Sequence, residues 1–234
     1  MAGYITYWSK EHVRALEKAG DSGPLSVIYG GPHTKMPSIA SLKPGDIIYP
    51  AAIRDGTLCA MARMEVETVE PALDYLMREV GRPAGAVVPR GMALERTGRG
   101  AENLLDGGEL DFTHSVFALS DGTWLEKNGD LPRDLKKVYT RSHYHDKPHK
   151  CHQEPHTCCA ELAASGTGSF IRPRALPVEC LPDLRFGPSK SKEKPLRLNK
   201  DGGPVTSSLS GFVRKMSGET WALFEGLFSE EDAV

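Results

Sequence analysis

The sequence predicts an α+β fold in which short strands outnumber helices. Runs rich in aromatic and β-branched residues, such as 4–8 and 47–53, are separated by Gly, Pro and Asp turns, a pattern typical of strands. Two amphipathic stretches that each follow a serine, at 10–19 and 218–228, predict the main helices. The 234 residues, 39% hydrophobic and 26% charged, suffice for one substantial core or two small ones.

The N-terminal third gives the clearest local signals. Residues 4–8 predict a strand, and Ser9 predicts the N-cap of a helix over 10–19 that ends at Gly20. The next predicted strand covers residues 25–29. The turn Lys43-Pro44-Gly45-Asp46 then leads into a strand over 47–53. The Asp55-Gly56 pair predicts a hairpin whose partner strand runs from 58 to 69.

The middle of the chain is less regular. Residues 73–80 predict a short helix, and residues 81–111, rich in Gly, Arg and Pro, predict a long loop. Two short strands, at 113–119 and 123–126, flank a turn at 120–122.

The C-terminal part alternates strands with a basic loop. Further strands are predicted at 160–164, 170–174 and 205–214, and residues 184–186 lead into the basic loop. Residues 187–195 predict a basic hairpin loop, and Ser217 predicts the N-cap of the helix over 218–228. The pattern places Trp221, Phe224 and Leu227 on one face of that helix.

Charge is unevenly distributed although the net charge is only -2. Residues 130–200 carry 14 Lys and Arg against 8 Asp and Glu, whereas the remainder carries 15 against 23. The chain therefore predicts a basic face on a nearly neutral protein, with an ordinary solvated surface as the alternative.

Targeting and cysteine signals favour the cytoplasm. The first residues lack a basic segment followed by an apolar run, and no apolar stretch is long enough to span a membrane, so no membrane partner is expected. Five cysteines, an odd number with three crowded together, favour reduced thiols.

A cluster of histidine and cysteine is the strongest chemical signal in the chain. Five of the eight histidines and three of the five cysteines lie between residues 143 and 159. Thiolate and imidazole are preferred ligands of zinc, so the cluster predicts a zinc site, structural in preference to catalytic. The candidate ligands are Cys151, His152, His156, Cys158 and Cys159. The alternative is a polar loop with one buried thiol, since the spacing is not a repeated Cys-x2-Cys.

Three segments in order resemble the PUA-like superfamily, in particular its EVE-type domains. They are the opening Tyr7-Trp8-Ser9-Lys10-Glu11-His12-Val13, the turn and strand Leu42-Lys43-Pro44-Gly45-Asp46-Ile47-Ile48-Tyr49, and the closing strand and helix at 209–228. The second segment is also similar to ASCH domains. The resemblance implies a single domain over 1–234, a small curved β-barrel with short flanking helices, interrupted by an irregular or helical insertion at about 75–165.

The resemblance further implies binding of RNA or DNA, or of a modified base, in a cleft beside the first helix. Candidate groups around this cleft are Tyr7, Trp8, Ser9, Lys10, His33 and Lys35, with Trp8 as the stacking surface. On a hairpin, Lys190, Lys192 and Lys194 would form one row facing phosphates. The alternatives are that the aromatic side chains fill the core and that the lysines only keep the loop soluble.

An enzymatic function stays open at this point. Some ASCH members are small amidohydrolases, so the resemblance also allows a hydrolase acting on a small nucleoside-like amide. A metal-dependent hydrolase using the cluster at 143–159 is a related alternative, although neither His-Glu-x-x-His nor the deaminase motif occurs. A third alternative is a non-enzymatic interaction protein whose zinc loop holds the insertion. The sequence leaves the oligomeric state open.

Overall fold

A computed structural model describes residues 1–30, 39–71, 75, 78–79, 116–118, 124–126, 162–209 and 213–229. The chain divides into two compact units. The first comprises Met1–Ser26, Leu42–Glu67 and Ser165–Val234, and the second comprises Val27–Ser41 and Thr68–Ala164.

The described elements are mainly short strands. In chain order the strands are β1 (Gly3–Tyr7), β2 (Val27–Gly30), β3 (Ile47–Arg54), β4 (Thr57–Ala60), β5 (Met64–Pro71), β6 (Val116–Ala118), β7 (Trp124–Glu126), β8 (Leu162–Gly168), β9 (Arg174–Ala175), β10 (Arg185–Phe186), β11 (Lys194–Pro195) and β12 (Val213–Lys215). The α-helices are α1 (Lys10–Ala19) and α2 (Gly218–Gly226), and 3-10 turns occupy Ile39–Ser41, Val178–Asp183, Lys190–Lys192 and Thr206–Ser208. The prediction of an α+β fold with a sheet core is confirmed.

The first strand lies between β12 and β3 in the sheet of the first unit. β1 runs parallel to β3, with Ile5 opposite Tyr49, and antiparallel to β12, with Ile5 opposite Arg214. The order continues from β3 to β5 and β8, while β4 pairs with β3 and β9 pairs with β4. In the part of the chain that is described, these strands form a linear path rather than a closed barrel.

A β-bulge divides the strand that was predicted as continuous over 58–69. β4 pairs with the end of β3, with Ala60 opposite Ala51, whereas β5 pairs with its start, with Met64 opposite Ile48. Three residues, 61–63, therefore face only two on β3, which is the arrangement that bends a strand and redirects a side chain. The prediction of one strand is wrong because alternation of polar and apolar residues continues across such a bulge.

Both predicted N-caps are confirmed. The Ser9 hydroxyl accepts a hydrogen bond from the His12 amide at 3.1 Å, and the Ser217 hydroxyl accepts one from the Thr220 amide at 3.2 Å. Each bond satisfies an amide that has no partner within its helix. Helix α1 ends at Gly20, whose φ of 70° suits glycine.

The Gly-Asp turn before β3 has a structural explanation. Gly45 has a φ of 84°, and the Asp46 carboxylate accepts hydrogen bonds from the amides of Lys43 at 3.0 Å and Ala2 at 2.8 Å. Asp46 is 5% exposed. Its buried carboxylate thus fixes both the turn and the start of β1, because a buried charge needs such partners.

Alternate residues of β3 build the core of the first unit. Ile47, Tyr49 and Ala51 are fully buried on one face, together with Phe224 of α2. The same cluster includes Ile5, Leu58, Ala60, Leu176, Leu181, Leu184, Phe186, Leu196, Leu209, Met216 and Phe228. Helix α2 is therefore packed directly on the strand that carries Tyr49.

Two other strand predictions need correction. The strand predicted over 205–214 is wrong in extent, because a 3-10 turn occupies Thr206–Ser208 and β12 covers only Val213–Lys215. Of the strand predicted over 170–174, only Arg174 falls within β9. The exposed Phe170 lies before β9, outside any strand.

The second unit contains β2 and the antiparallel pair β6–β7, in which Phe117 lies opposite Leu125. This pair confirms the predicted strands on either side of the turn at 120–122. The predicted loop over 81–111 lies outside the described residues, as does most of the predicted helix over 73–80. Within the described ranges, no helix combines the length and apolar character needed to cross a bilayer.

Candidate functional site

Polar side chains from β3, the bulge and α2 meet around the carboxylate of Glu225, and we call Tyr49, Arg63, Trp221 and Glu225 the Glu225 cluster. Trp221 and Glu225 are four residues apart on α2, so they occupy the same helix face. The Trp221 indole N–H lies 3.1 Å from the Tyr49 hydroxyl and 3.2 Å from Oε1 of Glu225. The Tyr49 hydroxyl donates a hydrogen bond to the same oxygen.

Arg63 completes the cluster from the bulge. Its Nε lies 3.0 Å from Oε1 and 3.3 Å from Oε2 of Glu225, and about one third of each side chain is exposed. The Tyr49 hydroxyl is a further hydrogen-bond partner of the Arg63 side chain. A guanidinium carries its N–H donors in a fixed planar arrangement. An arginine whose Nε is bound by a carboxylate can therefore still bind an anion with its terminal nitrogens.

Apolar contacts hold the cluster in place. The Tyr49 ring contacts Phe224 and Phe228 at centroid distances of 5.3 and 5.7 Å. The Trp221 ring lies against Gly3 of β1, where an added Cβ would come within 2.5 Å of the indole. Glycine is therefore required at residue 3 for the indole to approach the strand.

The charge states of the cluster are fixed by its own contacts. Burial alone would raise the pKa of Glu225, but hydrogen bonds from Tyr49 and Arg63 hold it below its usual value. Burial, followed by the adjacent carboxylate, raises the pKa of Tyr49 far above its usual value. Burial disfavours the charged form of Arg63, yet its hydrogen bond to Glu225 raises its pKa.

These pKa shifts indicate that the Glu225 cluster serves to orient side chains. Acid–base catalysis is most efficient when a pKa lies near the working pH, whereas every shift in the cluster leads away from neutrality. Glu225 is ionised, Tyr49 is protonated and Arg63 is charged at neutral pH. The cluster therefore fixes the direction of one cation, Arg63, and joins α2 to β3.

The predicted cleft residues beside α1 have separate structural roles. Trp8 is 7% exposed, and its ring lies 4.8 Å from that of His12. The Ser9 hydroxyl is engaged as the N-cap, Tyr7 is half-buried and Lys10 is exposed. In this arrangement the Trp8 indole offers little surface on which a base could stack, so binding at this position stays a prediction. His33 and Lys35 lie outside the described residues.

The lysine row has a different geometry from the one predicted. Lys190, Lys192 and Lys194 are all exposed, as expected for phosphate contacts. However, Lys190–Lys192 forms a 3-10 turn between β10 and β11. The prediction of a strand-like row is therefore wrong, because alternate residues of such a turn do not share a face.

The predicted zinc ligands Cys151, His152, His156, Cys158 and Cys159 lie outside the described residues, together with the rest of 143–159. Within the described part of the chain, no group of three His, Cys, Asp or Glu side chains is placed to hold a metal ion. Zinc binding and the metal-dependent hydrolase alternative therefore stay predictions.

Sequence reasoning missed Arg63 and Glu225. The spacing of Trp221 and Glu225 on a helix was a usable signal, since it places an indole donor beside a carboxylate. Nothing in the sequence near Arg63 indicates its partner 162 residues away. Comparisons of the chain with models of known protein families, with curated proteins and with solved structures give no match.

Proposed function

We propose that this protein binds nucleic acid, RNA or DNA, in the manner of PUA-like proteins, with an unpaired or modified base as the element it recognises. The observation that carries the proposal is a basic segment in the first unit. Residues 169–200 contain eight Lys and Arg against three Asp and Glu, in a chain whose net charge is -2. Lys190, Lys192 and Lys194 of this segment are exposed, and cations at a surface attract the phosphate backbone.

The position of β1 supports the PUA-like part of the proposal. The opening segment that carries the resemblance begins at the last residue of β1, and the Gly-Asp segment includes the first three residues of β3. The closing segment contains β12 and α2. β1 is hydrogen-bonded to both β3 and β12, although these segments are far apart in sequence. A curved barrel with short flanking helices would bring the same segments together. The likeness concerns the fold, and the function depends on the site.

Arg63 supports the proposal at the level of chemistry. Glu225 holds its Nε, and the terminal nitrogens can contact a phosphate or a base edge. Cys59 and Cys180 are free thiols, which agrees with a protein of the cytoplasm, where we propose that it acts.

The test is a titration of the full chain with fluorescent single-stranded oligouridylate and oligothymidylate at several salt concentrations. Binding through phosphates predicts affinity that falls steeply as salt rises, with a log–log slope of about -0.7 for each phosphate contacted. Affinity that does not change with salt, or no binding to either oligonucleotide, would overturn the proposal.

A matched pair of variants tests the role of the basic segment. We expect Lys190→Gln with Lys192→Gln to weaken binding and make the salt slope shallower. Lys18→Gln with Lys43→Gln removes two exposed lysines outside the segment and serves as the control. Equal effects of the two double variants would contradict a specific basic face.

A further inference from the structure

Phe170 is an exposed aromatic side chain beside the guanidinium of Arg172. It is 52% exposed, and the Arg172 guanidinium lies 5.8 Å from the centroid of its ring. Phe170 and Arg172 are both exposed, and Ile171 between them is half-buried. An exposed aromatic ring keeps apolar surface in contact with water, and covering that surface with a ligand is favourable.

The backbone that carries Phe170 is held on two sides. The Ile171 amide donates to the Ser22 carbonyl at 2.7 Å, and the Arg172 amide donates to the Met61 carbonyl at 2.8 Å. Just before Phe170, the Ser169 amide donates to the Arg63 carbonyl at 2.8 Å. The exposed ring thus stands on a fixed segment, and a surface that is already ordered loses little entropy on binding.

The same segment continues to the Glu225 cluster. The Arg174 guanidinium lies 4.2 Å from the centroid of the Phe228 ring, and Phe228 contacts Tyr49 of the cluster. The Arg63 carbonyl accepts a hydrogen bond from Ser169 at the start of the segment, and the Arg63 side chain pairs with Glu225. An exposed aromatic, nearby arginines and an anchored backbone therefore occur in one continuous part of the first unit.

We propose that Phe170 is the platform on which an unpaired nucleobase stacks, with Arg172 bordering the base and contacting the adjacent phosphate. Every base has a π-face, and stacking on an aromatic side chain beside a cation is how single strands are commonly held. The charge of this segment favours a polyanion over an apolar protein surface. The inference depends on the proposed nucleic-acid binding and assigns the stacking role to Phe170 in place of Trp8.

The experiment compares two oligonucleotides that have the same number of phosphates. One is whichever of oligouridylate and oligothymidylate binds more tightly, about ten nucleotides long, and the other is its abasic counterpart. We expect Phe170→Ala to weaken binding of the oligonucleotide with bases by about tenfold or more, the range that loss of a stacked base gives. Binding of the abasic strand is expected to change little. Leu223→Ala, which removes an exposed apolar side chain on α2, is the control.

The outcomes separate the inference from the function on which it rests. If the native chain binds the oligonucleotide and Phe170→Ala binds it equally well, Phe170 is not the stacking platform, while the proposed nucleic-acid function is retained. Equal losses of affinity for the two oligonucleotides in Phe170→Ala would also overturn the stacking role of Phe170, because stacking requires a base. If the native chain binds no oligonucleotide, the proposed function fails and the platform fails with it. Far-ultraviolet circular dichroism of each variant verifies that the fold is retained.

Discussion

The hydroxyl of Tyr49, near the start of β3, donates a hydrogen bond to the carboxylate of Glu225 on α2. The two residues are 176 positions apart in the sequence, and the bond joins a buried strand to the last helix. The same carboxylate accepts a hydrogen bond from Nε of Arg63. The position of α2 and the direction of the guanidinium therefore depend on one another. This connection is the structural basis for the predictions on stability.

Tyr49→Phe is expected to lower the free energy of unfolding by about 1–3 kcal/mol, the usual effect of losing a hydrogen bond to a charged group. Urea denaturation followed by tryptophan fluorescence measures the loss. Tyr4→Phe on β1 is the matched control, because no hydrogen bond of the Tyr4 hydroxyl is found among the described residues. A loss for Tyr49→Phe no larger than that for Tyr4→Phe would contradict the role of the bond.

The stability of the protein at acid pH is expected to depend on Glu225. Its pKa in the folded protein lies below the ordinary value of 4.5, so its contribution to stability is complete above that pH and is lost as the pH falls below it. Glu225→Gln is therefore expected to be less stable than the native chain at neutral pH, with the difference shrinking under acid conditions. Urea denaturation of both proteins at a series of pH values measures this. A difference that stays constant with pH would show that Glu225 does not titrate as described.

Gly3 and Gly226 form a pair of substitutions with opposite expected signs. Gly3→Ala would place a methyl group within 2.5 Å of the Trp221 indole, and overpacking of this kind costs about 1–3 kcal/mol. Gly226→Ala at the end of α2 meets open space and is expected to stabilise the protein, because alanine favours helix over glycine. Thermal unfolding of both variants tests this. Stabilisation by Gly3→Ala would contradict the packing of the indole on β1.

Signals carried by neighbouring residues predicted the local structure well. Ser9 and Ser217 each cap a helix a few residues away, and the Asp55-Gly56 turn adopts positive φ values of 49° and 79° to close the β3–β4 hairpin. These features depend on backbone preferences within a few positions, so the sequence alone contains their cause.

The site could not be predicted in the same way. Arg63 reaches Glu225 because a bulge redirects the strand, and nothing local distinguishes the bulge from a regular strand. Trp8 was expected to be accessible because of a family resemblance, yet it is buried beside His12. Lys190 and Lys192 were assigned the period of a strand but lie in a 3-10 turn. For Arg63 the deciding contact is with a residue 162 positions away in the sequence.

The cluster at 143–159 gives a prediction that is independent of the Glu225 cluster. We expect one zinc ion per chain in protein purified without a histidine tag, because five of the candidate groups are thiols or imidazoles. Elemental mass spectrometry measures it, and Cys151→Ser with Cys158→Ser is expected to remove the metal. The absence of zinc from the native chain would contradict the prediction and return the segment to a polar loop.

Nucleic-acid binding by this protein is best measured as salt-dependent binding of single strands. Fluorescence anisotropy of labelled oligouridylate and oligothymidylate is followed as the full chain is added at low and at physiological salt. We expect binding to at least one of them that weakens as salt rises, and that is weaker still in the Lys190→Gln with Lys192→Gln variant. Failure to bind either oligonucleotide at low salt would contradict it.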